Sequence, residues 1–216
     1  MSLTYTAFSG KNALRGKTVL IFGLGVYPQG SGIAATRYAA AQGARVIVVD
    51  AKPAETFSQQ CASLAPFKNI EYHFGTQSLT LVQGVDVLVR NPGVRLSHPL
   101  ILAAQKKKIP IVNDIALFAA SCPARIVAVT GTRGKTTTAT LIAAMLRGSG
   151  QRVHVGGNNT VSPLTFLSKV RATDTVVLEL SSWMIETLEP LGFHPQVGVW
   201  TNIMHDHQNA YPSMAA

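Results

Sequence analysis

Cysteine is scarce in this 216-residue chain: Cys61 and Cys122 are its only two, far apart and in no CxxC or Cys/His spacing. That excludes a disulfide framework and a thiolate metal cluster, and it suits a reducing compartment. No apolar run reaches the roughly 18 residues that span a bilayer, and no basic segment followed by an apolar stretch opens the chain. A cytoplasmic protein with no membrane insertion is expected. Charged residues are few, 13% against 47% hydrophobic, which excludes disorder and points to much buried sheet and helix. Acids are the scarcest charge, 10 against 19 Lys and Arg. The basic residues are scattered, and their one run, Lys106, Lys107 and Lys108, closes a predicted helix where cations complement the dipole. The excess therefore suits an anionic small molecule, and no nucleic-acid partner is expected. Internal repeats and low-complexity segments are also lacking.

What is present is an alternation of short apolar runs with helical stretches. Strands are predicted at 18–22, 45–50, 70–74, 86–89 and 109–112, with helices at 33–42, 54–64 and 99–107 between them. Near Ser121, Cys122 and Pro123 the rhythm restarts. Strands follow at 126–130, 152–155, 175–180 and 196–201, with helices at 136–146, 163–169 and 182–188. Strands alternating with helices imply parallel sheets covered on both faces. The expected fold is α/β: a Rossmann-like parallel-sheet domain over 1–122, then a P-loop α/β domain over 123–216.

The segment Val127 to Thr138 reads as strand, glycine turn, helix start. In Gly131-Thr132-Arg133-Gly134-Lys135-Thr136 the glycines let backbone N–H groups converge on phosphate oxygens, and the helix N-terminus adds its positive end. Lys135 supplies a point charge to the outer phosphates, the Thr136 hydroxyl reaches magnesium, and Thr137 follows on the first turn. Val129 stands where GxxxxGK[ST] has its first glycine, so the match is partial. A turn that merely linked strand to helix would not explain Lys135 followed by three threonines.

An earlier turn, Gly23-Leu24-Gly25, follows the first strand, and Asp50 ends the second, the order in which a Rossmann unit holds a phosphate and then a ribose hydroxyl. The turn departs from GxGxxG through the longer stretch Val26 to Gly32. Three readings stay open at this point: a nicotinamide dinucleotide, another nucleotide-bearing ligand, or a structural turn.

Taken together, Gly23-Leu24-Gly25, Asn91-Pro92-Gly93-Val94, Gly131 to Thr136, Gly156-Gly157-Asn158, Glu179-Leu180-Ser181-Ser182, Asn202-Ile203, Asp206-His207 and Tyr211-Pro212 resemble the Mur ligases over most of the chain. The Glu-Leu-Ser-Ser segment favours the D-glutamate-adding branch. The resemblance implies an enzyme of peptidoglycan precursor synthesis that phosphorylates the carboxylate of UDP-N-acetylmuramoyl-L-alanine with ATP. The amine of D-glutamate then displaces phosphate from the acyl phosphate. By resemblance, Lys135 steadies the transferred phosphate, Thr136 and Glu179 hold one magnesium, His207 stands by a second, and Asn158 and Ser181 lie near the substrate. Gly25, Val26, Asp50, Ala51, Lys52, Asn91 and Gly93 are the positions that would meet the UDP part. The family commonly has Ser-Pro-Gly and a shorter first turn, where this chain has Asn91 and the 27–31 stretch.

The resemblance further implies a central domain truncated at Ala216 and no glutamate-binding domain, hence binding without turnover. Oligomerisation is not expected of the full enzyme, whereas an open sheet edge invites association of the fragment. Two alternatives are a nucleotide-binding module without catalysis and an NAD-dependent oxidoreductase; the latter gives Lys135 and Glu179 nothing to do.

Overall fold

A computed structural model describes residues 5–10, 12–158 and 161–205. The first sheet is built from β1 (Thr18–Phe22), β2 (Arg45–Asp50), β3 (Ile70–Phe74), β4 (Val87–Arg90) and β5 (Ile111–Val112), in the order β3-β2-β1-β4-β5 and parallel throughout. Its helices are α1 (Ser31–Ala41), α2 (Ser58–Leu64, entered by a 3-10 turn at Ala54–Phe57), α3 (Pro99–Lys106) and α4 (Asp114–Ser121). The strand order reverses between β1 and β4, and a crevice opens there beyond the strands' carboxyl ends. Both loops at that crevice carry sequence-predicted site residues: 23–25 after β1 and 91–93 after β4.

The second sheet is β6 (Arg125–Thr130), β7 (Val153–Gly157), β8 (Thr175–Glu179) and β9 (Val197–Trp200), ordered β7-β8-β6-β9 and again parallel. Helix α5 (Lys135–Gly148) follows β6, and α6 (Ser182–Leu188) follows β8. No helix among the described residues is long and apolar enough to cross a membrane. Cys61 and Cys122 are both free thiols, and burial pushes each above its ordinary pKa.

Three elements depart from expectation. Helix α4 was not anticipated: its sequence DIALFAAS is apolar almost all round, so it shows no periodic face. Its start is fixed by Asn113, whose Oδ1 accepts the Ala116 amide at 2.9 Å. The helix expected at 163–169 is a pair of 3-10 turns, Pro163–Thr165 and Leu167–Lys169. There Thr165 and Lys169 amides bond three residues back, to Ser162 and Phe166, and no i to i−4 ladder starts. The strand expected at 109–112 shrinks to two residues because Pro110 has no N–H to give the ladder.

One apolar core runs through both sheets. Val112, Ile115 and Phe118 share a cluster with Ile126, Leu164, Met184 and Leu188, all at most 9% exposed. Each large side chain buried there contributes roughly 2 kcal/mol. A polar contact lies beside it: the Ser162 hydroxyl donates to Asp114 Oδ2 at 2.6 Å, and the Ser162 amide donates to the Gln29 carbonyl at 2.8 Å.

Asp114 is 1% exposed, and burial raises its pKa despite the opposing hydrogen bond from Ser162. A raised carboxyl keeps its proton longer in the folded state, so stability falls as pH climbs from the ordinary carboxylate range through the raised value. Asp114→Asn keeps an acceptor for Ser162 and removes the charge. Its thermal midpoint is expected to gain on wild type at neutral pH, with the gain vanishing at about pH 4. A gain independent of pH would refute this account.

Candidate nucleotide and metal site

The loop between β6 and α5 is held by the segment that leaves β9. Arg133 O accepts from Thr201 Oγ1 at 2.7 Å and Asn202 Nδ2 at 3.1 Å, while the Arg133 amide donates to Asn202 Oδ1 at 3.0 Å. The Thr132 amide donates to Asn202 O at 3.1 Å. Gly131, at φ 137°, makes this approach possible, since a Cβ there would run into Thr201 and the Asn202 backbone. Lys135 Nζ arches over the loop, donating to Gly131 O at 2.7 Å and Thr132 O at 2.9 Å. Thr136 and Thr137 open the exposed side of the first helical turn beside Gly134.

Parallel pairing sets the next member. Val129 is in register with Glu179, so the carboxylate ending β8 stands level with the loop. Glu179 is 3% exposed; its Oε2 accepts from Thr136 Oγ1 at 2.8 Å and its Oε1 from Asn158 Nδ2 at 3.0 Å. Asn158 is fixed in turn by its amide, which donates to the Glu179 carbonyl at 2.8 Å. Gly157 precedes it at φ 109°, and a Cβ there would collide with that same carbonyl.

These oxygens fit a small hard cation. Magnesium binds oxygen, keeps several waters, and is typically held by one or two carboxylates plus substrate phosphates. Glu179 and Thr136 offer one carboxylate and one hydroxyl at a single point. Among the described residues no group of three or more His, Cys, Asp or Glu could hold a metal ion, so the phosphates of a nucleotide and water would complete the shell. His207, expected to serve a second ion, lies outside the described residues.

On the first sheet, Asp50 faces the glycine turn. Its Oδ2 accepts the Leu24 amide at 2.9 Å and lies 3.4 Å from the Gly25 amide, and its Oδ1 accepts the Lys52 amide at 3.1 Å. Asp50 therefore shapes the turn itself, a part the sequence order alone did not reveal. Asn91 packs on the same turn, with Nδ2 donating to Gly23 O at 3.2 Å and Oδ1 accepting the Gly93 amide at 3.1 Å. Val26 gives its carbonyl to Gln60 Nε2 at 2.7 Å, and Ala51 and Lys52 are exposed at the crevice rim.

The two groups meet. A cleft of about 380 Å³ is lined by Pro92, Gly93 and Arg95 from the first sheet's loop and by Asn158, Ser181 and Trp183 from the second. The Ser181 hydroxyl is buried there without a hydrogen-bond partner. Sequence reasoning assigned no part to Thr201, Asn202, Arg95 or Trp183. Asn202 alone carried a signal, standing directly after a predicted strand in a quoted motif.

Two parallel sheets joined beside a glycine loop, a buried strand-end glutamate and a Pro-Gly turn make up the candidate site. The MurD-like N-terminal domain of Mur ligases matches residues 17–113, and the Mur ligase middle domain matches 129–216. The chain belongs to the Mur ligase family. It is similar to the UDP-N-acetylmuramoylalanine–D-glutamate ligase of Treponema pallidum, 37% identical over 213 residues, covering 93% of this chain and 40% of that protein. The ligase of the same name from Borreliella burgdorferi is 35% identical over 193 residues, covering 89% of this chain and 41% of its own length. The chain thus spans about 40% of the length of these relatives. A solved murein peptide ligase from Psychrobacter arcticus shares the fold at TM-score 0.51 and 19% identity, over 93% of this chain and 46% of that one.

Proposed function

We propose that the chain carries the UDP-substrate and ATP sites of a ligase that adds D-glutamate to UDP-N-acetylmuramoyl-L-alanine in peptidoglycan precursor synthesis, in the cytoplasm. The observation that carries this reading is the contact of Thr136 and Asn158 with buried Glu179 at the edge of a cleft shared with the Asn91–Gly93 turn. The names of the relatives supply the substrates. Residues 1–122 form the UDP-substrate unit and 123–216 the ATP unit.

Within this reading Gly131 to Thr137 cradle the ATP phosphates, and Lys135 turns its ammonium from the loop carbonyls to the transferred phosphoryl oxygens. Glu179 and Thr136 hold magnesium, which when bound neutralises charge on the phosphates during transfer. Asn158 keeps the Glu179 carboxylate oriented by its hydrogen bond. Ser181 offers its unpartnered hydroxyl to the substrate in the cleft. His207 adds a further contact to metal. Gly25, Val26, Asp50, Ala51, Lys52, Asn91 and Gly93 surround the UDP portion, and the carboxylate to be activated lies toward Glu179. An NAD-dependent oxidoreductase would leave Lys135, Thr136 and Glu179 idle.

Calorimetric titration of the chain with UDP-N-acetylmuramoyl-L-alanine, and separately with ATP and magnesium, tests the proposal; failure of both to bind refutes it. Glu179→Gln keeps the hydrogen bonds from Thr136 or Asn158 sterically possible and removes the charge. Magnesium is expected to tighten ATP binding to wild type and to lose at least about tenfold of that effect in the variant, a loss of ~1.4 kcal/mol. Equal magnesium dependence in both proteins would remove Glu179 from the metal site.

A further inference from the structure

The two halves of the cleft are connected by more than the apolar core. Arg90, the last residue of β4, is fully buried, and its Nη2 donates to the Trp183 carbonyl at 2.8 Å, with Glu186 at 3.7 Å. Asn113, directly after the neighbouring strand β5, is 1% exposed and donates from Nδ2 to the Met184 carbonyl at 3.0 Å. Trp183 O and Met184 O are consecutive carbonyls in the first turn of α6. Two side chains from adjacent strand ends of one sheet therefore grip a single turn of the other unit.

The location of the grip matters. Arg90 is bonded to Asn91, the start of the turn that lines the cleft on the UDP side. Trp183 lines it on the other side with Ser181, two residues beyond the Glu179 that ends β8. A guanidinium at 0% exposure is a costly way to fill space, because an apolar side chain of similar volume serves stability as well or better. What Arg90 offers that an apolar residue does not is a directional bond to one peptide oxygen.

We infer that Arg90 and Asn113 are positioning residues that tie the Asn91–Gly93 turn to the Glu179–Ser181 strand end, so that ligand seated at either changes affinity at the other. The inference rests on the ligand assignments proposed above. A bound UDP substrate settles the Asn91 turn, Arg90 and Asn113 carry that order to α6, and Glu179 with Ser181 is held ready for the nucleotide. Linkage requires the reverse effect to be equal.

The test is calorimetry on the full chain with a non-hydrolysable ATP analogue plus magnesium, with and without UDP-N-acetylmuramoyl-L-alanine. Wild type, Arg90→Lys, Arg90→Met and Asn113→Ala are compared. In wild type one ligand is expected to tighten the other about fivefold or more. Arg90→Met and Asn113→Ala should bind each ligand singly within about twofold of wild type yet lose the mutual tightening, and Arg90→Lys should keep part of it, with one ammonium in place of the fork. Retention of the full tightening in Arg90→Met, or its absence in a wild type that binds both ligands, overturns the inference. A wild type that binds neither ligand overturns the proposed function instead. In that event hydrogen exchange reads the clamp alone: amides 181–188 are expected to exchange at least about tenfold faster in Arg90→Met, with those of β2 unchanged. Unchanged exchange at 181–188 removes the clamp as well. Arg90→Lys preserves the buried charge and provides the same readouts should the methionine variant fail to fold.

Discussion

Lys135→Ala should weaken binding of ATP with magnesium roughly 30- to 150-fold, because a hydrogen bond between charged partners contributes about 2–3 kcal/mol. Among the described residues its Nζ donates to the carbonyls of Gly131 and Thr132, at the surface of the loop, and those oxygens can turn to water when the side chain is removed. The fold should therefore survive. A midpoint of thermal unfolding close to wild type together with the lost affinity is the expected pair of results. An affinity within about threefold of wild type would mean that Lys135 meets no phosphate, and the loop would then have to be read as a link between β6 and α5.

Gly157→Ala should cost about 3–5 kcal/mol in urea unfolding, a large effect for a one-methyl change. Two terms add. At φ 109° an L side chain is strained, and the new Cβ would press into the Glu179 carbonyl, which belongs to the backbone and has little room to yield. Relief requires β7 to move from β8, and the Asn158 amide bond to that carbonyl goes with it. Glu179 would then lose part of its support, so magnesium-dependent nucleotide binding should weaken as well. A cost under about 1 kcal/mol would show that β7 accommodates the methyl group and that the tight approach is not needed.

The frame of the molecule was legible where local chemistry decides it. Strands 18–22, 45–50 and 70–74 and helix 182–188 fall where apolar runs and turn residues put them. The Lys106–Lys108 run does close α3, with Lys106 in the last turn and Lys108 at φ 56° just beyond. Helix α4 escaped because Ile115, Ala116, Leu117 and Phe118 are all buried, leaving no polar face to give a period. The candidate site was legible in its residue types, through the glycine loop and the strand-end glutamate. Its supports were not. Asn202 reaches Arg133 across 69 residues, Asn113 reaches Met184 across 71 and Arg90 reaches Trp183 across 93. Such pairings depend on which strand lies next to which, and nothing local to an Arg or an Asn marks it as a clamp. Asp50 shows the same limit: its position at the end of β2 suggested a ligand contact, and nothing local showed that its oxygens also receive the chain's own amides.

The apolar core that runs unbroken from Phe118 through Leu164 to Met184 has a bearing on selectivity. Two bodies sharing one dry interior cannot swing apart without exposing it, so the distance between the two sheets is set at folding, and ligand settles only the local order of the turns at the cleft. The cleft then works as a caliper with its jaws locked. On the proposed function a ligand is measured by length before any group on it is recognised, and side chains that never touch it, far inside the seam, set the gauge.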